Sequence, residues 1–291
     1  MALILKQILF MNLVVLGNVC IDKNSAEKAQ YKAAGGPATF MSLFFKQTKD
    51  TLFTTIASYG NSFLPYKNGL NLYPLRPNVA NTLVYENTIK NGKRSQKSHF
   101  YKDALPPEIS KDVANIIKNV DVLFIAPLIP YFSPDYIKKV ADLTRKDCLK
   151  ILLPQGYFRQ FDRNQNVVFR KFKEADKILS LVDFVILSSE DYPNIEKLSL
   201  EWYNKYSTTF IITKAEKGAM IINKNGRVIV STNPIPLEEI VDSIGAGDIF
   251  SASFGYYYFK NKDLVKSVGL ANQTAGENLL SKTQEIQKDL G

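Results

Sequence analysis

Short apolar runs recur along the chain with room for a helix between them. Met11 to Leu16 reads MNLVVL and stops at Gly17-Asn18. Thr51 to Ala57, Val120 to Ala126, Leu149 to Leu153, Phe184 to Leu187 and Phe210 to Thr213 follow, most of them rich in β-branched or aromatic residues. A strand buried on both faces has this continuous apolar character, where a half-exposed strand alternates. Ser133 to Lys146, Val167 to Ser180 and Ile195 to Lys205, which lie between such runs, read as helices. Strands alternating with helices pair in parallel through right-handed crossovers, which predicts a doubly wound α/β fold: a mostly parallel sheet with helices on both faces. Ligands of such sheets sit off the carboxyl ends of the strands, so the loops following these runs are the places to look for chemistry.

Two stretches break the alternation. From about 70 to 101 the chain is strand-like with several Pro and Asn residues, and Asn91-Gly92 between Thr82 to Ile89 and Ser98 to Tyr101 is a hairpin signal. This region is expected to form a small β lid or edge extension on a single α/β domain spanning residues 1–291. A second hairpin is expected from Ala219, where AMIIN, Asn225-Gly226 and RVIV follow one another.

With 291 residues, 45% of them apolar, the chain is long enough to bury a full core. No stretch of eighteen uncharged apolar residues occurs, so neither a membrane-spanning helix nor a membrane partner is expected. The N-terminal MALILKQILFMNLVVLGNVC loosely imitates an export signal. Lys6, Gln7 and Asn12 interrupt its apolar part, however, and Val19 stands where a small residue would precede the cysteine. The reading is therefore cytoplasmic. Cys20 and Cys148, without a CxxC pair, fit reduced core residues better than a disulfide or a zinc site. The formal net charge is +9, but the lysines are scattered and the one dense stretch, Lys90 to Lys97, falls on the hairpin turn. Nucleic acid is accordingly not an expected partner, while phosphorylated ligands suit the charge.

The sharpest local signal is Asp242-Ser-Ile-Gly-Ala-Gly-Asp248-Ile-Phe, followed by a helix-like Ser251 to Lys260. Gly245 and Gly247 permit a tight turn that presents successive N–H groups, and at a helix N-terminus such amides attract an anion. A carboxylate in that turn repels phosphate. Its presence suggests another task, and accepting a proton from an attacking hydroxyl is the one phosphoryl transfer offers.

Asp242 to Phe250 resembles the Asp-Thr-x-Gly-Ala-Gly-Asp-x-Phe signature of the ribokinase-like (PfkB) family, with Ser243 for Thr, near the C-terminus where that family carries it. Gly17-Asn18-Val-Cys-Ile-Asp22 is similar to the family's first-strand loop, and Gly35-Gly36-Pro-Ala to its early Gly-Gly signature. Thr213-Lys-Ala-Glu-Lys-Gly218-Ala219 resembles the segment lining the nucleotide, and Ala271-Asn272 lies on the late helix that flanks adenine. The resemblance implies a small-molecule kinase using ATP and Mg²⁺, with room for a monovalent cation, acting on a sugar or polyol. It implies Asp248 as general base, with Gly245, Ala246, Gly247 and the other amides of Ile244 to Asp248 as an anion hole. It further implies Asn18, Asp22, Gly35 and Gly36 at the acceptor, and Ser188, Thr213, Gly218 and Asn272 at the nucleotide. Pro154-Gln155-Gly156-Tyr-Phe-Arg159 resembles the turn of a subset that includes myo-inositol kinase-like members, which assigns Arg159 to the substrate.

Departures from the family pattern bear on the acceptor and the metal. The family's Asn-x-x-Glu after the Phe184 strand is replaced by Ser188-Ser-Glu190-Asp191, leaving Asp191 or Glu190 to hold magnesium through water. Phe40 stands where a hydrogen-bonding Asn is usual, and Ala215 where a glycine is expected. Two other readings follow: a nucleoside kinase in which Phe40 stacks on a base, or a catalytically silent nucleotide-binding regulatory protein. The exposed edge of the lid invites pairing into a homodimer. His99 lacks partners for a triad or zinc site, and the Tyr256 to Phe259 run is expected to pack in the core.

Overall fold

In a computed structural model, residues 10–26, 29–67, 69–90, 93–236, 240 and 243–290 are described. The main sheet is built from β1 (Met11–Gly17), β4 (Thr51–Ile56), β5 (Leu72–Tyr73), β8 (Val122–Ala126), β9 (Leu149–Leu152), β12 (Phe184–Ser188), β13 (Thr209–Thr213), β14 (Ala219–Asn223) and β15 (Gly226–Val230). Its strand order is β15-β14-β13-β12-β9-β8-β1-β4-β5. Pairing is parallel from β5 through to β13 and antiparallel for β13–β14 and β14–β15. All six apolar runs read from the sequence are strands of this sheet. The β14–β15 hairpin forms one edge.

Alternation along each strand divides the core in two. Leu13 and Val15 point to one face, where α1 (Pro37–Phe45), α6 (Ala246–Asn261) and α7 (Leu264–Leu290) supply Met41, Phe254 and Val268. Val14 and Leu16 point to the other, covered by α2 (Lys111–Lys118), α3 (Pro134–Leu143), α4 (Ala175–Ile178) and α5 (Ile195–Tyr206) through Ile117, Ile137, Ile178 and Trp202. Tyr256 and Tyr257 pack edge-on against Phe44, and Tyr258 against Phe184, so the aromatic run serves the core as expected. The helices begin where their caps place them: Ser110 accepts from the Val113 amide, and Ser133, followed by Pro134, accepts from that of Tyr136.

Two expectations need correction. Val167 to Ser180 is not one helix: β11 (Val167–Phe169) pairs antiparallel with β10 (Arg159–Phe161), leaving Ala175–Ile178 α-helical and running into a 3-10 turn at Leu179–Leu181. Asp162 decides this, because its Oδ1 accepts from the amides of Asn164 and Asn166, both at 2.8 Å, and turns the chain back before Val167. The β extension expected at about 70–101 also has other bounds, since Leu72–Tyr73 joins the main sheet and two strands before residue 36 belong to the extension. It is a four-stranded sheet in the order β3-β2-β6-β7, in which β2 (Cys20–Ala26) and β3 (Ala29–Gly35) join β6 (Leu83–Lys90) and β7 (Lys93–His99). The segment after β1 is polar and lacks a strand's alternation, so its strand character comes from pairing: β2 runs parallel to β6 with Asp22 opposite Tyr85. The turn Asn91-Gly92 and Asp242 lie outside the described residues. Among the described residues no helix is long and apolar enough to cross a membrane.

Candidate active site

The chain leaves β1 for β4 on one side and later adds β8 on the other, so the strand order reverses between β1 and β8. The strands stay paired to Gly17 and Ala126, but the chain beyond them goes on to α1 on one face and α3 on the other, the arrangement in which an α/β sheet holds ligands in a crevice. Asn18, 3% exposed, joins the two loops by accepting the Leu128 amide on its Oδ1 at 2.9 Å. Leu128 is a hub of the crevice wall. Its carbonyl accepts the Tyr85 hydroxyl at 2.8 Å and Arg159 Nη1 at 3.4 Å.

Arg159 arrives from the turn after β9. That turn hugs the 127–129 loop so closely that a Cβ on Gly156 would lie 2.4 Å from the Pro127 carbonyl oxygen. The guanidinium sits over the Tyr85 ring, 5.2 Å from its centroid. Tyr85 belongs to the lid strand β6 and is buried, and burial pushes its phenol up to about 12. Its position opposite Asp22 also brings β2 to this wall.

Asp22 is buried beside Gly35, where a Cβ would stand 2.2 Å from its Oδ2. The Cys20 thiol donates to Asp22 Oδ1 at 3.4 Å. Cys20 is thus part of the crevice wall, and its thiol is raised well above the ordinary range by burial and then by the Asp22 carboxylate. Gly36, at φ +88°, caps α1 and approaches the Asn18 carbonyl so closely that a Cβ would lie 2.7 Å from it.

Asp248 is in the first turn of α6, after Gly245 at φ +89°. The turn is closed by the Ala246 amide donating to the Ser243 carbonyl at 3.3 Å and the Asp248 amide to that of Gly245 at 3.1 Å. Two of the five amides expected in an anion hole are therefore engaged within the turn. Gly247 is exposed, and a Cβ built on it would meet nothing within 4 Å, so the space over the helix N-terminus is open. Asp248 is half-buried, and its carboxyl is pushed up to about 7. Desolvation is the main cause; the Arg159 charge pulls it down, and the Asp22 and Asp191 carboxylates push it up.

Asp191 follows β12. Its Oδ2 accepts the Ser188 amide at 2.8 Å and its Oδ1 accepts Gln155 Nε2 at 3.2 Å. Desolvation raises its pKa, against these bonds and the nearby Arg159. Glu190 beside it is exposed. The Arg159 guanidinium therefore acts on both Asp191 and Asp248, and Asp248 also feels the Asp22 carboxylate. Among the described residues no group of three or more His, Cys, Asp or Glu is arranged to hold a metal by itself.

The remaining candidates gather along the sheet toward its β15 edge. Thr213 is opposite Ser188 in register, and its carbonyl accepts the Ser189 amide at 3.0 Å. Gly218, at φ +81°, would place a Cβ 2.2 Å from the Val230 carbonyl oxygen, the same atom to which Asn272 Nδ2 donates at 3.0 Å. Asn18, Asp22, Gly35, Gly36 and Arg159 thus gather at the crevice, and Gly218 and Asn272 meet at the Val230 carbonyl beside the β15 edge. Sequence reasoning missed Tyr85, Gln155 and Leu128, each placed by pairing or hydrogen bonds distant in sequence. His99 pairs with Glu86 on the lid at 3.2 Å.

A model of pfkB family carbohydrate kinases matches residues 74–286. A cytidine kinase of Thermococcus kodakarensis is 27% identical over 180 residues, which are 62% of this chain and 54% of that protein. The matched part is thus about half of that relative's length. A pyrophosphate-dependent kinase in the ribokinase family, complexed with a pyrophosphate analog and myo-inositol, superposes with a TM-score of 0.71 at 18% identity, covering 92% of this chain and 95% of that one. Arabidopsis thaliana ribokinase complexed with ribose and ATP gives 0.69 at 15% identity, covering 91% of each chain. At these identities the two superpositions speak for the fold.

Proposed function

This chain belongs to the pfkB family of carbohydrate kinases, and on that premise we propose that it transfers the γ-phosphoryl of ATP to a hydroxyl of a sugar or inositol-like polyol. The observation that carries the reading is Asp248 at the open N-terminus of α6, with a carboxyl near pH 7 facing Arg159. A general base works best when its pKa lies near the working pH.

In this mechanism the acceptor lies in the crevice beside Asn18, Asp22, Gly35, Gly36 and Arg159. Asp248 takes the hydroxyl proton as the oxygen attacks the terminal phosphorus; the new O–P bond forms, the bridging P–O bond breaks, and ADP leaves. Charge on the transferring oxygens is met by the α6 N-terminus, through the Gly245 to Gly247 backbone, and by the Arg159 guanidinium. Ser188, Thr213, Gly218 and Asn272 line the nucleotide.

A hard cation suits the excess of carboxylates over cationic groups here. Magnesium characteristically takes one or two carboxylates, waters and phosphate oxygens, and Asp191 and Glu190 would hold it through water. When bound it neutralises charge on the nucleotide oxygens.

A polyol is favoured over a nucleoside by the likeness in fold to the pyrophosphate-dependent kinase complexed with myo-inositol. The likeness to a cytidine kinase keeps the nucleoside reading as the alternative. The experiment is ADP release from ATP and Mg²⁺ across inositols, hexoses, pentoses and nucleosides, with pyrophosphate as a second donor. Stimulation by an inositol or sugar supports the proposal. Stimulation by cytidine alone replaces it with the nucleoside reading, and tight nucleotide binding without turnover on any acceptor replaces it with a regulatory role.

A further inference from the structure

The crevice has two turns that must keep a fixed separation if an acceptor on one is to meet a phosphoryl group on the other. The first runs from Gly35 to Phe40 and is internally tied. Thr39 Oγ1 donates to the Gly35 carbonyl at 3.0 Å, and the Thr39 and Phe40 amides donate to the Gly36 carbonyl at 3.1 and 3.4 Å. Gly35 and Gly36 in turn rest against Asp22 and the Asn18 carbonyl. The second turn is Ser243 to Asp248, closed by its own backbone bonds.

Phe40 spans the gap between them. It leaves the first turn of α1, and its ring lies where any side chain on Gly245 would have to go: the added Cβ would come within 2.3, 2.4 and 2.7 Å of three of its carbons. Gly245 is the left-handed residue that sets the direction in which α6 begins. Farther along, the two helices are joined again by edge-on contacts of Phe44 with Tyr256 and Tyr257, 5.6 and 6.1 Å between centroids. An aromatic ring at the near end and an aromatic cluster farther on make the two helices one body.

We propose that Phe40 is a positioning residue that braces the Gly245 turn against the acceptor loop, fixing the acceptor oxygen relative to the phosphoryl group. A phenyl ring offers no hydrogen bond to an acceptor, and what it supplies here is apolar contact with the Gly245 turn. The inference rests on the kinase reading for its catalytic meaning but on packing alone for the brace.

The test uses the full chain with Phe40→Ala and Phe40→Leu, the latter apolar and nearly as far-reaching, and has two readouts. Hydrogen exchange of the amides in residues 243–249 is expected to speed up at least tenfold in Phe40→Ala, the equivalent of about 1.4 kcal/mol of local opening. Exchange along the rest of α6 should stay as in the parent, and Phe40→Leu should restore most of the protection. Phosphoryl transfer to the acceptor found in the panel is expected to lose about 100-fold in kcat with little change in nucleotide KM, since small misplacements of reacting groups cost that much. Unchanged exchange at 243–249, or loss of protection spread evenly over α6, would overturn the brace. Unchanged kcat in a variant whose turn has loosened would overturn its role in positioning. Should the parent chain transfer phosphate to no acceptor, the kinase reading falls while the exchange result still decides the brace.

Discussion

At the acceptor end of the crevice, side chains bind strand to strand: Asn18 holds Leu128, Leu128 holds Tyr85 and Arg159, and Asp22 fills the space over Gly35. At the donor end the groups that would meet phosphate are backbone, the turn is closed by its own carbonyls, and Gly247 looks into open space. One end is tied together by side-chain hydrogen bonds, and the other presents backbone at an open helix N-terminus. The difference has a physical cause. On the proposed function the acceptor end meets a neutral polyol that offers only hydroxyls, and a rigid site with fixed polar groups limits the cost of ordering and desolvation. A phosphate offers strong charge, which dipoles at a helix N-terminus attract without close fitting.

The comparison breaks most completely at Asp248, where the two ends meet. Asp248→Asn is expected to lower kcat by about 10³- to 10⁴-fold, the upper range for removing a general base, with nucleotide affinity retained. The same substitution should stabilise the fold at pH 8. With a carboxyl raised to about 7, the native state holds its proton more tightly than the unfolded chain, whose carboxyl titrates in the ordinary range near 4. Stability therefore falls as pH rises from about 4 to 7 and stays low above it. Asn removes that loss, so thermal unfolding at pH 8 should shift upward in the variant and the shift should vanish near pH 4.

Arg159→Gln sharpens the comparison from the acceptor side. Without the guanidinium, the chief group holding the Asp248 carboxyl down is lost and the Asp22 and Asp191 carboxylates act unopposed. The acid limb of the kcat/KM profile, expected near pH 7 in the parent, should move to higher pH. A profile that keeps its shape and only scales downward would place Arg159 outside the electrostatics of the base.

Tyr85→Phe is the smallest change. It removes the hydroxyl donated to Leu128 while leaving the ring beneath Arg159, and should cost about 1 kcal/mol of stability, the typical worth of one hydrogen bond. Denaturant unfolding measures the loss, and the pH profile should stay in place.

The donor end was the more legible in sequence. Gly245, Gly247 and Asp248 lie within one turn, so four consecutive residues carry the geometry with them. The buried strands were legible for a like reason, since burial on both faces writes itself as an unbroken apolar run. The acceptor end was only half legible. Asn18, Asp22 and Arg159 were readable from motifs, but Tyr85 gains its place from the parallel register of β2 and β6, 63 residues apart at Asp22 and Tyr85. Polar β2 and β3 carry no periodic signal, so half of the lid was hidden. Val167 to Ser180 misled because its apolar content suits a helix until the Asp162 turn is taken into account.

The most direct measurement is transfer of label from γ-³²P-ATP to the stimulating acceptor at pH 8, comparing the parent chain with Asp248→Asn at matched nucleotide occupancy. Labelled, phosphorylated acceptor from the parent and at least about a thousandfold less from the variant is the predicted result. Equal transfer by the two proteins would contradict Asp248 as the base and with it the mechanism.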